Sequence, residues 1–313
     1  MLAKNTVFNT QTKLAQMLDR NPDLLDVLSR LGIGLGFGER TVSEVAQRHA
    51  LDASTLCLIC NVYTFEHYEP DPATLADGHI TDVVRYLRES HRSYLTTQLV
   101  WLDGTLDKLI APLGDKQKKV IRRFFEEYKA ELEKHFAFEE DEVLPYIEDL
   151  IFGRPRPGFT ISQFADNHSN IEEKLSDLNN LIMKSLPDSC DEALREQVLR
   201  FLYFLQRDLR CHTLVDDKVL TPMAWYIEHP HLVKRKAAEE AEERGELSER
   251  EKQILVSVAQ GLLNKEIADK HNISIHTVIT HRKHITAKTG IKTVAGLTAY
   301  ALLNGLIDID TVE

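Results

Sequence analysis

The sequence predicts an all-α protein: a four-helix up-down bundle, preceded by a small helical domain and followed by a compact four-helix domain. Apolar residues recur at helical spacing through most of the 313 residues, and no convincing set of alternating strands is found. Four long amphipathic patterns occupy residues 76–227, with connections at APLGD, FGRPRPG and SLPDSCD, each rich in Pro and Gly or in Asp. Such a pattern closes as an antiparallel bundle.

The elements follow in order. Residues 1–72 form the first domain, where NPDLLDVLSRLG and TVSEVAQRHALDASTLCLICNVYTF read as helices on either side of the glycine-rich GIGLGFGE. The break EPDPATLADGH, with two prolines, marks its end. The bundle spans 76–227. Residues 228–245 include KRKAAEEAEERG, which has helix propensity and no apolar face, as expected of a linker helix. Residues 246–313 carry four short helices.

The composition, 43% hydrophobic and 28% charged, is that of an ordinary soluble globular protein. The N-terminus lacks the apolar run and cleavage site of a signal peptide, and no stretch reaches the ~20 apolar residues of a membrane span. A cytoplasmic location away from membranes is expected. Four cysteines, at 57, 60, 190 and 211, are too few and scattered for a disulfide framework. Cys57 and Cys60 form a CxxC, but LCLICNVY reads as a buried apolar helix. The net charge of −11 argues against a general polyanion binder. Yet Asn272 to Ile307 contains no Asp or Glu, while Arg282, Lys283, Lys288 and Lys292 fall inside it. That stretch should present a local electropositive surface.

Within the bundle, ligand-type residues repeat. His91 and His135 are 44 positions apart, as are His168 and His212, and the two pairs are offset by 77. The midpoint of each pair falls in a predicted turn, so within each helical hairpin the two histidines should lie at one height. Each second histidine opens a matching phrase, HFAFEEDEVLP or HTLVDDKVLTP. Glu139 and Asp216 stand at i+4 within them, one turn along the same face. Four imidazoles and two carboxylates from four helices suit two metal ions with bridging carboxylates. Mixed imidazole and carboxylate sets with open positions favour iron, with manganese or zinc as alternatives. Glu172, one turn after His168, is a further ligand candidate, although its repeat equivalent is Leu95.

The order His91, His135 with Glu139, His168, His212 with Asp216 resembles the hemerythrin-like di-iron domains, especially the proteins that repair iron centres under nitrosative stress. The resemblance covers roughly residues 76–225. It implies a non-haem di-iron centre that binds or reacts with oxygen, nitric oxide or peroxide. Glu172 stands where an oxygen carrier has another histidine, and Asp216 replaces the more usual Glu, which argues against reversible oxygen carriage. Residues 1–72 resemble the helical domain preceding the bundle in the repair proteins. Gly36 and Phe37 occupy the positions of that domain's adjacent cysteines. A structural or dimerising role is therefore expected in place of thiol chemistry.

The C-terminal segment opens on LSEREKQIL, where Ser248 and Glu251 have capping-box spacing. Asn264 is positioned to cap the next short helix and Ser274 a third. Two helices joined by about four residues have the form of a helix-turn-helix. In the third helix, Ile275, Val278 and Ile285 are expected to pack inward. His276, Thr280, His281, Arg282, Lys283 and Lys288 face outward as donors for phosphates and base edges. The phrase closely resembles the LuxR/NarL-type helix-turn-helix of bacterial regulators, over nearly all of 246–306. That resemblance places Thr277, Val278 and His281 in the recognition helix, Lys283 and Lys288 near the DNA, and a dimerising helix at TVAGLTAYALLNG. Ile279 stands where the family often has a DNA-contacting lysine.

Together these features lead to a transcription regulator that senses oxygen, nitric oxide, peroxide or redox state through two non-haem irons and binds double-stranded DNA as a homodimer. A di-iron enzyme for nitric oxide or peroxide removal or iron-centre repair is the alternative, and an iron-level sensor the second.

Overall fold

The computed structural model describes residues 7–154, 156–165, 172–230 and 247–308, apart from the side chains at 165, 172 and 173. The chain is all-α: among the described residues there is no strand, only an isolated bridge between Lys13 and Thr41. It divides into two compact units, Met1–Glu228 and His229–Glu313. Much of the expected linker, residues 231–246, lies outside the described residues.

The first unit begins with short helices: α1 (Leu14–Arg20), α2 (Leu24–Arg30), α3 (Val42–Arg48), α4 (Ala53–Thr64) and α5 (Pro72–Asp77). Local chemistry sets their ends. Thr41 and Glu44 form a reciprocal capping box, and Asp52 and Asp71 accept from backbone N–H groups three residues on. After α2 the chain turns at Gly32, whose φ of 73° suits glycine, and Ile33 N–H closes on Leu28 C=O at 2.8 Å. Cys57 and Cys60 are buried within α4, and burial pushes both thiols up, Cys57 to about 12. They are core residues in thiol form.

The bundle's long rods are interrupted helices. α6 (Ile80–Ser93) passes through a π-helical turn at Tyr94–Gln98 into α7 (Leu99–Ile110). α8 (Asp115–Phe138) passes through one at Glu139–Val143 into α9 (Leu144–Ile151). The third rod comprises α10 (Ile161–Ala165) and α11 (Glu172–Ser185), with the residues between them not described. α12 (Glu192–Val215) passes through a π turn at Asp216–Leu220 into α13 (Thr221–Glu228). Two of the π turns end two residues ahead of a proline, Pro145 or Pro222. A proline inside a helix has no N–H to donate and its ring crowds the carbonyl one turn back. The widened turn absorbs that conflict without ending the rod.

Two apolar cores meet in this unit. One unites Leu14, Val27, Leu28, Leu58 and Ile59 of the N-terminal helices with Tyr86, Leu87, Val143, Val215 and Val219 of the bundle. The other, farther along the rods, contains Tyr94, Leu102, Tyr128, Leu132, Phe136, Leu178 and Leu209. Residues 1–72 thus share a continuous core with the bundle. Buried ligand-type side chains lie between these two apolar strata. No helix among the described residues is long and apolar enough to cross a membrane.

The second unit has α14 (Glu249–Ala259), α15 (Asn264–His271), α16 (Ile275–Thr289) and α17 (Val294–Leu303) around Ile254, Leu255, Ile267, Val278, Ile285 and Leu297. Ser248 and Glu251 form the expected capping box, and Ser274 Oγ accepts from Thr277 N–H at 3.0 Å. Asn272, in the left-handed region at φ 53°, turns the chain between α15 and α16. The start of α15 differs from expectation: Leu263 is the N-cap position, and Glu266 accepts its N–H at 2.7 Å. Asn264 instead accepts from Arg282 Nη1 at 2.8 Å. Ile275 also differs, being 46% exposed. At the first turn of α16 its side chain precedes the strip formed by Val278 and Ile285.

Candidate metal centre and nucleic-acid interface

Helical spacing turns the ligand-type residues to the bundle interior. His91 lies near the end of α6, His135 near the end of α8, and His212 near the end of α12. Glu139 and Asp216 are the first residues of their π turns. His91, Glu139, His212 and Asp216 are all buried, and His135 is half-buried.

The structure brings these five side chains together. Nε2 of His91 lies 3.2 Å from Nε2 of His212 and 2.8 Å from Oε2 of Glu139. His212 Nε2 is 3.7 Å from the same Glu139 oxygen and 3.6 Å from Asp216 Oδ2. The other oxygen of Glu139, Oε1, faces His135 Nε2 at 2.9 Å. Glu139 therefore presents one oxygen to two imidazoles and the second to a third. His168 and the side chain of Glu172 lie outside the described residues.

The donor set is that of a cation site. Ligand atoms of His91, Glu139 and His212 all lie within 4.8 Å of one another. Two imidazole nitrogens bound at ~2.1 Å to one ion, roughly at right angles, stand about 3 Å apart. Burial pushes the His212 pKa down to about 4, against the hydrogen bond to Glu139 and with help from His91 and His135. At neutral pH that ring is uncharged, the form that ligates metal. Imidazole nitrogens and carboxylate oxygens thus converge in a buried layer, an arrangement a cation satisfies.

One residue at the site was missed by sequence reasoning. Glu140 Oε1 lies 2.7 Å from Nδ1 of His91, on the side of the ring away from the ligand atoms. It also meets Arg88 Nε at 3.3 Å, while Arg88 Nη1 donates to Glu148 at 2.6 Å. An ionised carboxylate only accepts, so His91 Nδ1–H donates to Glu140, and Nε2 is the nitrogen turned to the position a cation would take. The hydrogen bond to His91 holds the Glu140 carboxyl below its usual range. For His91, burial disfavours the charged form, but the hydrogen bonds to Glu139 and Glu140 prevail and its pKa is raised. The doubled acid in HFAFEEDE was visible, but Glu140 falls 49 positions from His91 and nothing local pairs them. Phe136 stacks on His91 with centroids 4.4 Å apart, and Tyr94 stands edge-on to His212 at 5.6 Å. These rings wall the imidazoles with apolar surface.

In the second unit, the residues expected to face DNA divide. His276 and Lys283 are exposed on α16, with Thr277, Thr280 and His281 half-buried beside them. Thr277 Oγ1 lies 2.8 Å from Ser274 Oγ, and Thr280 Oγ1 donates to His276 C=O at 3.0 Å. Arg282 is engaged with Asn264, as described. Lys288 turns to Glu251 Oε2 at 2.9 Å, its side chain 16% exposed. Ile279 is 39% exposed on the same helix.

Residues 82–224 match the family model of the hemerythrin HHE cation binding domain, and residues 245–301 that of the bacterial regulatory proteins of the luxR family. The chain therefore joins a hemerythrin-type domain to a luxR-type DNA-binding domain. The oxygen regulatory protein NreC of Staphylococcus aureus, strains JH9 and NCTC 8325, is 45% identical to this chain over 62 residues. The match spans 20% of this chain and 29% of the relative, less than a third of its length. No solved structure matches the chain.

Proposed function

We propose that this chain, joining a cation-binding bundle to a luxR-type domain, is a transcription regulator whose DNA binding answers to a di-iron centre. The observation that carries the reading is the placement of Glu139, one oxygen turned to His91 and His212 and the other to His135. A carboxylate so placed would hold a cation on either side, one with each of its oxygens. Asp216 supplies a second carboxylate beside His212, and His168 and Glu172 complete the set proposed from sequence.

The chain's own residues do the positioning. Glu140 fixes the His91 ring, burial holds His212 neutral, and Phe136 and Tyr94 exclude water from the imidazoles. Two irons in such a site supply a redox change and open positions for a diatomic ligand or oxidant such as oxygen, nitric oxide or peroxide. The name of the relative, an oxygen regulatory protein, supports oxygen among these. A ligand or redox change that favours one arrangement of the bundle helices shifts the DNA-binding equilibrium only by its differential binding free energy. The protein acts on double-stranded DNA as a cytoplasmic homodimer in this reading.

The test uses the full chain and duplexes it selects from a random pool. Two irons per chain are expected, and DNA affinity at fixed salt should differ about 5- to 150-fold between metal-free, reduced and oxidised protein. Equal affinity in all three states would end the sensor reading. Steady turnover of peroxide or nitric oxide alongside equal affinities would make it an enzyme instead.

A further inference from the structure

Beside the ligand layer lies a buried polar cluster that the metal reading leaves unused. Arg30, the last residue of α2, and Asp208, one turn before His212 on α12, are both buried, each side chain 3% exposed. The guanidinium forks onto the carboxylate, Nη1 lying 3.0 Å from Oδ1 while Nη2 pairs with Oδ2. Nη1 also reaches the hydroxyls of Tyr63 and Tyr86, both at 3.3 Å, and of Tyr94 at 3.4 Å. Tyr63 donates to Asp208 Oδ1 at 2.9 Å, Tyr86 donates to Tyr63 at 2.6 Å, and Gln98 Nε2 donates to Asp208 Oδ2 at 3.4 Å. The guanidinium carbon stands 4.8 Å over the Tyr94 ring, whose far neighbours are His212 and Phe136.

Stability alone is a weak reason for such a cluster. Taking a cation and an anion out of water is costly, and an apolar pair of similar volume often holds a core equally well. What a planar fork provides, and leucine or methionine cannot, is direction. It constrains Asp208 on the helix that carries His212, and it presses one face of the ring that walls His212. Its origin is α2, in the part of the chain that precedes the bundle.

We propose that Arg30 is a positioning residue for the metal ligands: through Asp208 and Tyr94, the N-terminal helices set the orientation of the His212 imidazole. The inference rests on His212 being a ligand. It makes α2, through Arg30, a working part of the metal centre.

The test compares full-length wild type with Arg30→Lys, Arg30→Met, the Arg30→Met/Asp208→Leu double variant and His212→Ala. Ferrous iron affinity is measured by chelator competition, with thermal unfolding of the metal-free protein and the visible spectrum of the iron-loaded protein alongside. Arg30→Met should bind iron about 10- to 100-fold more weakly, the loss typical of removing an orienting partner. The double variant, with no uncompensated charge, should unfold near the wild-type temperature yet keep the weakened affinity. Lysine, a point charge without the fork, should recover only part of it. A folded double variant with wild-type affinity and spectrum would assign the cluster to holding helices together and overturn the proposal. Should that variant not fold, Arg30→Lys at full affinity overturns it equally. Full iron binding by His212→Ala would instead remove the metal reading beneath it.

Discussion

Glu140 holds His91 from behind: its Oε1 lies 2.7 Å from Nδ1, while Nε2 on the opposite edge of the ring faces Glu139 and His212. The hydrogen bond fixes both the rotation of the imidazole and the nitrogen that carries the proton. Glu140→Ala should weaken iron binding about 10- to 100-fold. Glu140→Gln, which keeps an acceptor oxygen, should lose less. Chelator competition measures both, and equal affinity in Glu140→Ala would show that Glu140 does not orient the ring.

Glu139 turns Oε2 to His91 and His212 and Oε1 to His135. Glu139→Ala should lower iron from two per chain to one or none, whereas Glu140→Ala should lower affinity with less change in stoichiometry. Iron analysis of freshly purified protein distinguishes the two. Two tightly held irons in Glu139→Ala would deny it the bridging position.

Within the second unit, Glu251 links the cap of α14 to Lys288 of α16. Burial pushes its carboxyl up, but the hydrogen bonds from Ser248 N–H and Lys288 outweigh this, and its pKa lies below the ordinary 4.5. A carboxylate with a lowered folded pKa stabilises above its unfolded value, and the contribution is lost as pH falls through the folded one. Amide exchange in α14 of the full chain should therefore accelerate below about pH 4.5. Glu251→Gln should cost about 1–2 kcal/mol at neutral pH and flatten that acid dependence. An unchanged acid profile would mean that Glu251 does not govern it.

The two lysines proposed for DNA contact should behave differently. Lys283 is exposed, so Lys283→Ala should weaken all duplexes alike and reduce the salt slope by about 1. Lys288→Ala should first loosen the unit, because it strips Glu251 of its cation. Ile279→Lys should tighten non-specific binding by adding a cation to an exposed position of α16. Titrations over a range of salt concentrations test all three, and a salt slope unmoved by Lys283→Ala would take that residue off the phosphate backbone.

The repeated HFAFEEDEVLP and HTLVDDKVLTP phrases, the spacings of 44 and 77 and the proline-rich turns were legible because helix periodicity is local. In an antiparallel hairpin, equal distance from a turn means equal height, so counting residues locates a layer. Two of the three π turns had a local signal too, in Pro145 and Pro222, although it does not reveal how the helix accommodates them, and the turn at Tyr94–Gln98 had none of this kind. The Glu140–His91 contact, the fork of Arg30 on Asp208, the inward turn of Lys288 and the exposure of Ile275 were settled only when helices packed. Arg30 and Asp208 are 178 positions apart, and which face of α2 meets α12 follows from the packing of whole helices. By itself the sequence pointed to His91, His135, Glu139, His212 and Asp216 as one layer, because that needs only the period of a helix and the position of a turn; His168 and the side chain of Glu172 lie outside the described residues. The tertiary structure decided which groups hold and orient them, because side-chain partners across helices depend on crossing geometry and burial, and no short window of sequence encodes either.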